Sequence, residues 1–132
     1  MQKYIPLIGR ILLSAIFIIS GVMKIFNFTQ TQQYMAAYGM PVTSFFLACA
    51  LLIEILGGLS VLSGYKAQWG ASVLAVYLIP TTLIFHSNFA DQAQMIHFML
   101  NLTIIGGLLM VTYFGPGPVS IDERVKPGEI AL

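Results

Sequence analysis

Four apolar runs, each broken from the next by a short polar stretch, set the pattern of this chain. They extend from Leu7 to Phe26, Phe45 to Leu62, Trp69 to Phe89 and Met95 to Phe114. About 20 apolar residues cross the hydrocarbon core of a bilayer as a helix, and within lipid the backbone must satisfy its own hydrogen bonds. Each run is therefore predicted to be a membrane-spanning helix, despite β-branched and aromatic residues that favour strands in water. The turns at Gly64-Tyr65-Lys66 and around Asp91 are tight, which makes consecutive spans antiparallel neighbours. The predicted architecture is all-α: an up-down four-helix membrane bundle forming a single domain over residues 1–132.

The longest connection, Asn27 to Ser44, carries no charge but contains Phe28, Tyr34, Met35 and Tyr38, with Thr31 as a cap and Gly39 and Pro41 as a stop. It predicts a short helix lying in the membrane interface. Pro80 removes a backbone donor inside the third span and predicts a kink, with Thr81 and Thr82 at hand for the freed carbonyls. From Gly115 onward, Pro116, Pro118 and Pro127 predict a tail, residues 115–132, that leaves the membrane in an extended and partly mobile form.

Composition agrees with this reading. Of 132 residues, 58% are hydrophobic and 8% charged, against about a quarter charged in soluble domains. A net charge of +1 with no basic run excludes a nucleic-acid partner. The single Cys49 excludes an intrachain disulfide, a Cys-x-x-Cys pair and a thiolate zinc cage, and its apolar surroundings suit an inert thiol. Lys3 and Arg10 before the run Ile11 to Ile19 resemble an export signal, but no Ala-x-Ala-like site follows, and the segment is expected to be retained as the first span. Lys3, Arg10, Lys66, Arg124 and Lys126 fall on one side, Lys24 and Asp91 on the other. The positive-inside rule then places both termini in the cytoplasm of a bacterial plasma (inner) membrane.

Helical spacing gathers the intramembrane polar residues into one stripe per span. These are Arg10, Ser14, Phe17, Gly21 and Lys24; Ala50, Glu54, Gly57, Val61 and Gly64; Ser72, Ala75, Ile79, Thr82 and His86; and His97, Asn101, Ile104 and Leu108. A charge at the bilayer centre costs roughly 3 kcal/mol, so the stripes are expected to face inward. At about 1.5 Å per residue, Lys24, His86 and His97 lie within roughly the first turn from the outer surface, Asn101 about two turns down and Glu54 roughly 13 Å deep. The candidate polar site is therefore Lys24, Glu54, His86, His97 and Asn101, in a polar funnel opening outward.

Glu54 would be neutral if buried alone, and charged with Lys24 or Arg10 in reach; the sequence leaves both open. Histidines that titrate near neutrality permit proton exchange with a quinol. No His-x-x-x-His or Glu-x-x-His pair supports a metal site. At the opposite surface Arg10 is expected to reach water or to pair with Asp122 or Glu123 of the tail. Gly21, Gly57, Gly58, Gly106 and Gly107 are read as close-packing positions. Tyr65, Trp69, Tyr77 and Tyr113 are read as interfacial anchors.

Several ordered fragments carry a further likeness. Ser20-Gly21-Val22-Met23-Lys24-Ile25-Phe26 closes the first span, Tyr38-Gly39-Met40-Pro41 precedes the second, and Glu54-Ile55-Leu56-Gly57-Gly58 lies within it. Phe85-His86, Asn101-Leu102, Gly106-Gly107-Leu108-Leu109, Gly115-Pro116-Gly117 and Ser120-Ile121-Asp122 follow in order. In this arrangement the chain resembles the DoxX family of small four-helix bacterial membrane proteins over almost its whole length. It departs at Leu100, where many members carry a lysine.

The resemblance implies an accessory or anchoring subunit of a membrane redox complex, on the pattern of the small subunit of thiosulfate:quinone oxidoreductase, with a quinone or lipid headgroup held in the bundle. Its implied partners are the lipid bilayer and membrane redox proteins, and assembly with further copies of itself is left open. No nucleophile with a base, no paired cysteines and no cofactor fingerprint point to a self-sufficient enzyme, and no catalytic residue is assigned. The alternative reading is a small proton-coupled transporter or proton pathway in which Glu54 changes protonation.

Overall fold

The computed structural model describes residues 2–85 and 90–125. A single 3-10 turn, Gln2–Tyr4, leads into α1 (Ile5–Phe26), followed by α2 (Phe28–Ala37), α3 (Thr43–Ser63), α4 (Ala67–Phe85), α5 (Gln92–Phe114) and α6 (Ile121–Val125). Four of these, α1, α3, α4 and α5, are long and apolar enough to cross a membrane. The expected helix between the first two spans is α2. The predicted end of the third span, residues 86–89, lies outside the described residues.

In lipid, packing is governed by how closely backbones approach, because hydrocarbon tails are as apolar as the side chains they would replace. Small residues therefore decide which helices touch. Gly21 lies where an added methyl would come 2.7 Å from Ile55 Cγ1, and Gly58 where it would come 2.8 Å from Ile18 Cγ1, so α1 and α3 meet at both levels. Gly57 packs under Leu74 in the same way, bringing α4 against the other flank of α3. The buried core is built along these seams from Phe17, Val61, Ala71, Leu74, Ala75, Leu78 and Leu108. On α5, a methyl at Gly107 would come 3.0 Å from Leu13 Cδ2, whereas one at Gly106 would meet nothing within 4 Å. Gly106 faces outward, so close packing rests on Gly107 and the expectation for Gly106 is corrected.

The stripes of α1 and α3 are buried as expected: Arg10, Ser14, Phe17 and Gly21 on one, Glu54, Gly57 and Val61 on the other. On α4 the buried face is Ala67, Gly70, Ala71, Leu74, Ala75, Leu78 and Thr82, and Ile79 from the expected stripe is half exposed. Thr81 Oγ1 donates to the Tyr77 carbonyl at 2.9 Å. Thr82 Oγ1 instead accepts from Asn101 Nδ2 at 3.0 Å, fastening α5 to α4.

The segment after α5 does not run free. Gly115 and Gly117 take φ values of +82° and +89° and turn the chain back beneath the bundle, where Ser120 is buried. The Asp122 amide donates to the Gly64 carbonyl at 3.0 Å. Its carboxylate accepts from the amides of Lys66 at 2.6 Å and Ala67 at 3.2 Å, capping the start of α4 from a distance in sequence. The expected extended tail is thus corrected over residues 115–125; Lys126 and Pro127 lie outside the described residues.

Arg10 is likewise not at the surface. It is 1% exposed, and its Nη1 donates to the carbonyls of Val61 at 3.1 Å and Leu62 at 2.9 Å, while Nη2 donates to the Val119 carbonyl. The last carbonyls of a helix have no intrahelical donor and carry the negative end of its dipole, so a fork of cationic N–H groups completes the end of α3. Asp122, expected as the partner of Arg10, spends both carboxylate oxygens on the α4 amides. Replacing Arg10 by Met is expected to lower stability by about 3 kcal/mol through loss of these charge-assisted bonds. Lysine, a point charge without the fork, should recover little. Thermal unfolding in detergent checks the size of the loss, and faster proteolysis of the tail checks its cause.

Candidate functional site

The three polar side chains that converge within the membrane come from three different spans. Lys24 stands in the last turn of α1, Glu54 at the middle of α3 and Tyr77 at the middle of α4. Helical side chains lean toward the amino terminus of their own helix. Because α1 and α3 run in opposite directions, Lys24 leans down and Glu54 leans up, and two residues of unequal depth meet. Lys24 Nζ lies 2.6 Å from Glu54 Oε2 and donates to it, and donates also to Ser20 Oγ at 3.0 Å, one turn back on α1. The Tyr77 hydroxyl donates to the same Oε2.

Burial is uneven across this cluster. The Glu54 side chain is 4% exposed and that of Lys24 26%. The second carboxylate oxygen, Glu54 Oε1, is buried and has no hydrogen-bond partner among the described residues. Lysine carries three N–H donors, and two of those on Lys24 are engaged, which leaves one uncommitted donor beside one uncommitted acceptor.

A cavity of about 400 Å³ borders this cluster, with Lys24 and Tyr77 in its wall. The other walls are mainly apolar, with Met35 of α2, Leu47, Cys49 and Ile53 of α3, and Pro80 and Ile84 of α4, and they also carry Thr31, Tyr34 and Thr81; Glu54 stands behind the wall and does not line it. Its volume falls within the roughly 300–1,000 Å³ of small-molecule sites. At the α2 side, the rings of Tyr34, Tyr38 and Phe85 pack on one another with centroids 5.0 to 5.6 Å apart. The Tyr34 phenol, which donates to Tyr38 Oη, is pushed up to about 12, first by that hydrogen bond and then by burial. It is a neutral group at physiological pH.

Of the expected site residues, Lys24 and Glu54 are brought together. His97 is exposed on α5, and Asn101 is held by Thr82; neither lines the cavity. His86 lies outside the described residues. Among the described residues no three His, Cys, Asp or Glu side chains are placed to hold a metal ion. The expected outward polar funnel is corrected to a mainly apolar cavity whose polar lining groups come from α1, α2 and α4.

Tyr77 is the residue that sequence reasoning misplaced as an interfacial anchor. A depth count finds it: eight residues before Phe85 put it about 12 Å below the end of α4, level with Glu54. Tyr65, Trp69 and Tyr113, by contrast, are well exposed near helix ends.

With this geometry in hand, likeness to other proteins is informative. The sequence model described as DoxX matches residues 5–87. Inner membrane protein YqjF of Escherichia coli (strain K12) is 43% identical over 120 residues, which are 91% of this chain and 91% of that protein. Inner membrane protein YphA of the same organism is 32% identical over 123 residues, covering 89% of this chain and 88% of its own length. ER-derived vesicles protein ERV29 of Saccharomyces cerevisiae is 32% identical over 81 residues, 58% of this chain but 26% of that protein. No solved structure matches. A match over more than half of its length, and two bacterial relatives alike over most of theirs, establish that this membrane protein belongs to the DoxX family.

Proposed function

We propose that this chain is an accessory or anchoring subunit of a membrane redox complex, whose bundle holds the head of a quinone in the cavity between α2, α3 and α4. The carrying observation is the uncommitted Lys24 donor in the wall of a mainly apolar cavity of about 400 Å³, with the buried Glu54 carboxylate behind it. The names of the E. coli relatives support a seat in the bacterial inner membrane. The distribution of Lys and Arg supports cytoplasmic termini.

The residues fit such a head on charge as well as shape. Lys24 is the cation in the cavity wall and Glu54 already neutralises it. An anionic phosphate would gain no net attraction there and would stand close to a carboxylate. A neutral ring with carbonyl oxygens takes the free N–H of Lys24, whose charge Glu54 balances from behind the cavity wall. A bound quinone would supply two-electron, two-proton chemistry; the chain's own part is to orient the ring, exclude water from it and present the Lys24 ammonium at one of its oxygens.

Two measurements test this. Protein purified from native membranes should carry a quinone chromophore, and the Lys24→Met/Glu54→Gln double variant should bind an added short-chain benzoquinone about tenfold more weakly, for loss of a charge-assisted bond. Absence of binding by the native protein, together with a proton flux in liposomes that Glu54→Gln abolishes, would sink the proposal in favour of a proton pathway.

The ion pair itself should show strong coupling. Lys24→Met or Glu54→Gln alone is expected to lower stability by up to about 3 kcal/mol, discounted from a fully buried pair because Lys24 is partly exposed. The double variant should cost at least about 1 kcal/mol less than the sum of the singles, read from thermal unfolding of all four proteins.

A further inference from the structure

Beside the inner cavity runs a second concavity, on the lipid-facing side of α1. It is a shallow, open groove of about 610 Å³ lined by Leu12, Ala15, Ile16, Ile19 and Met23, with Ser20, Lys24, Asn27 and Thr31 at its polar end. These five apolar residues recur at helical spacing and form one continuous face. From Leu12 to Met23 they cover about 16 Å along the helix, close to the depth of one leaflet of a hydrocarbon core of about 30 Å.

Lys24 and Thr31 line the groove and the cavity alike. The two spaces therefore share a wall where the polar cluster begins: a mainly apolar trough as long as one leaflet on one side, a chamber walled by the uncommitted Lys24 donor on the other. A bulk phospholipid is a poor occupant of the trough. Its phosphate would fall at Lys24, whose charge is already matched by Glu54 at 2.6 Å.

We infer that the groove along α1 seats the hydrocarbon chain of the same amphiphile whose neutral head enters the cavity, the chain passing between Lys24 and Thr31. This rests on the proposed head site and adds to it the substrate class, a chain-bearing ring rather than a free aromatic, and a lateral route from the bilayer. Hydrocarbon gains little by leaving lipid for a groove of the same polarity. The trough acts by shape, holding the chain along α1 so that the head arrives at Lys24 in one orientation.

The test uses the full chain in lipid nanodiscs and two probes: a methylated benzoquinone without a tail, and the same ring bearing a decyl chain with a photoactivatable diazirine. Irradiation should label the Leu12–Met23 segment well above the lipid-facing surfaces of α4 and α5. Ala15→Phe, which fills the trough, should weaken binding of the chain-bearing probe about tenfold by overpacking, leaving the tailless ring unchanged. Ile16→Trp, at a half-exposed position, serves if Ala15→Phe folds poorly. Labelling spread evenly over lipid-facing helices, or equal effects of the filling variant on both probes, overturns the inference while the head site stands. Failure of the native protein to bind either ring overturns both.

Discussion

The hydrocarbon core offers Glu54 no solvent, and much of this structure follows from that one constraint. A carboxylate near the midplane has to be met by groups from neighbouring helices or not be carried at all. Lys24 and Tyr77 meet it, one from each flank of α3, so α1, α3 and α4 are fixed in register about a single oxygen atom. The small residues then become intelligible. Gly21 and Gly58 bring α1 close enough for Lys24 to reach, and Gly57 admits Leu74 so that α4 presents Tyr77 at the right depth.

How much of this was readable from the residues depended on polarity contrast. On α1 and α3 a costly residue recurs on the buried face, so Arg10, Ser14, Phe17, Gly21, Glu54, Gly57 and Val61 declared that face plainly. On α4 the contrast vanishes, since lipid and core are equally apolar, and the interface is marked instead by small size at Gly70, Ala71 and Ala75. An assignment built on Ser72 and Ile79 was rotated for that reason. In α5 only Leu108 is fully buried, and Asn101 and Thr112 serve the seam with α4 rather than the cluster around Glu54.

The tail shows a different limit. Pro and Gly between residues 115 and 118 read as a linker because local composition says nothing about distant orphan groups. The end of α3 leaves carbonyls unpaired and the start of α4 leaves amides unpaired, and the turn between them is too short to satisfy both. Arg10 and the returning segment supply what is missing, through the Arg10 fork on one side and the Asp122 carboxylate on the other. Such a demand is visible only when the positions of all helix ends are known together.

A buried arginine and a partly exposed lysine thus sit toward opposite ends of α1, and their surroundings differ. Arg10 places both Nη atoms on backbone carbonyls, holds three segments together, leaves Nε without a partner among the described residues, and borders neither the cavity nor the groove. Lys24 has a donor in hand, faces a carboxylate with an unused oxygen, and forms part of the wall of both spaces. A purely architectural ion pair gains nothing from an adjoining void, because empty volume forfeits packing on every side. That the bundle keeps a cavity against Lys24 and Tyr77, the two groups that meet its most expensive residue, is the physical argument for treating them, with Glu54 behind them, as a binding site rather than as a register pin alone.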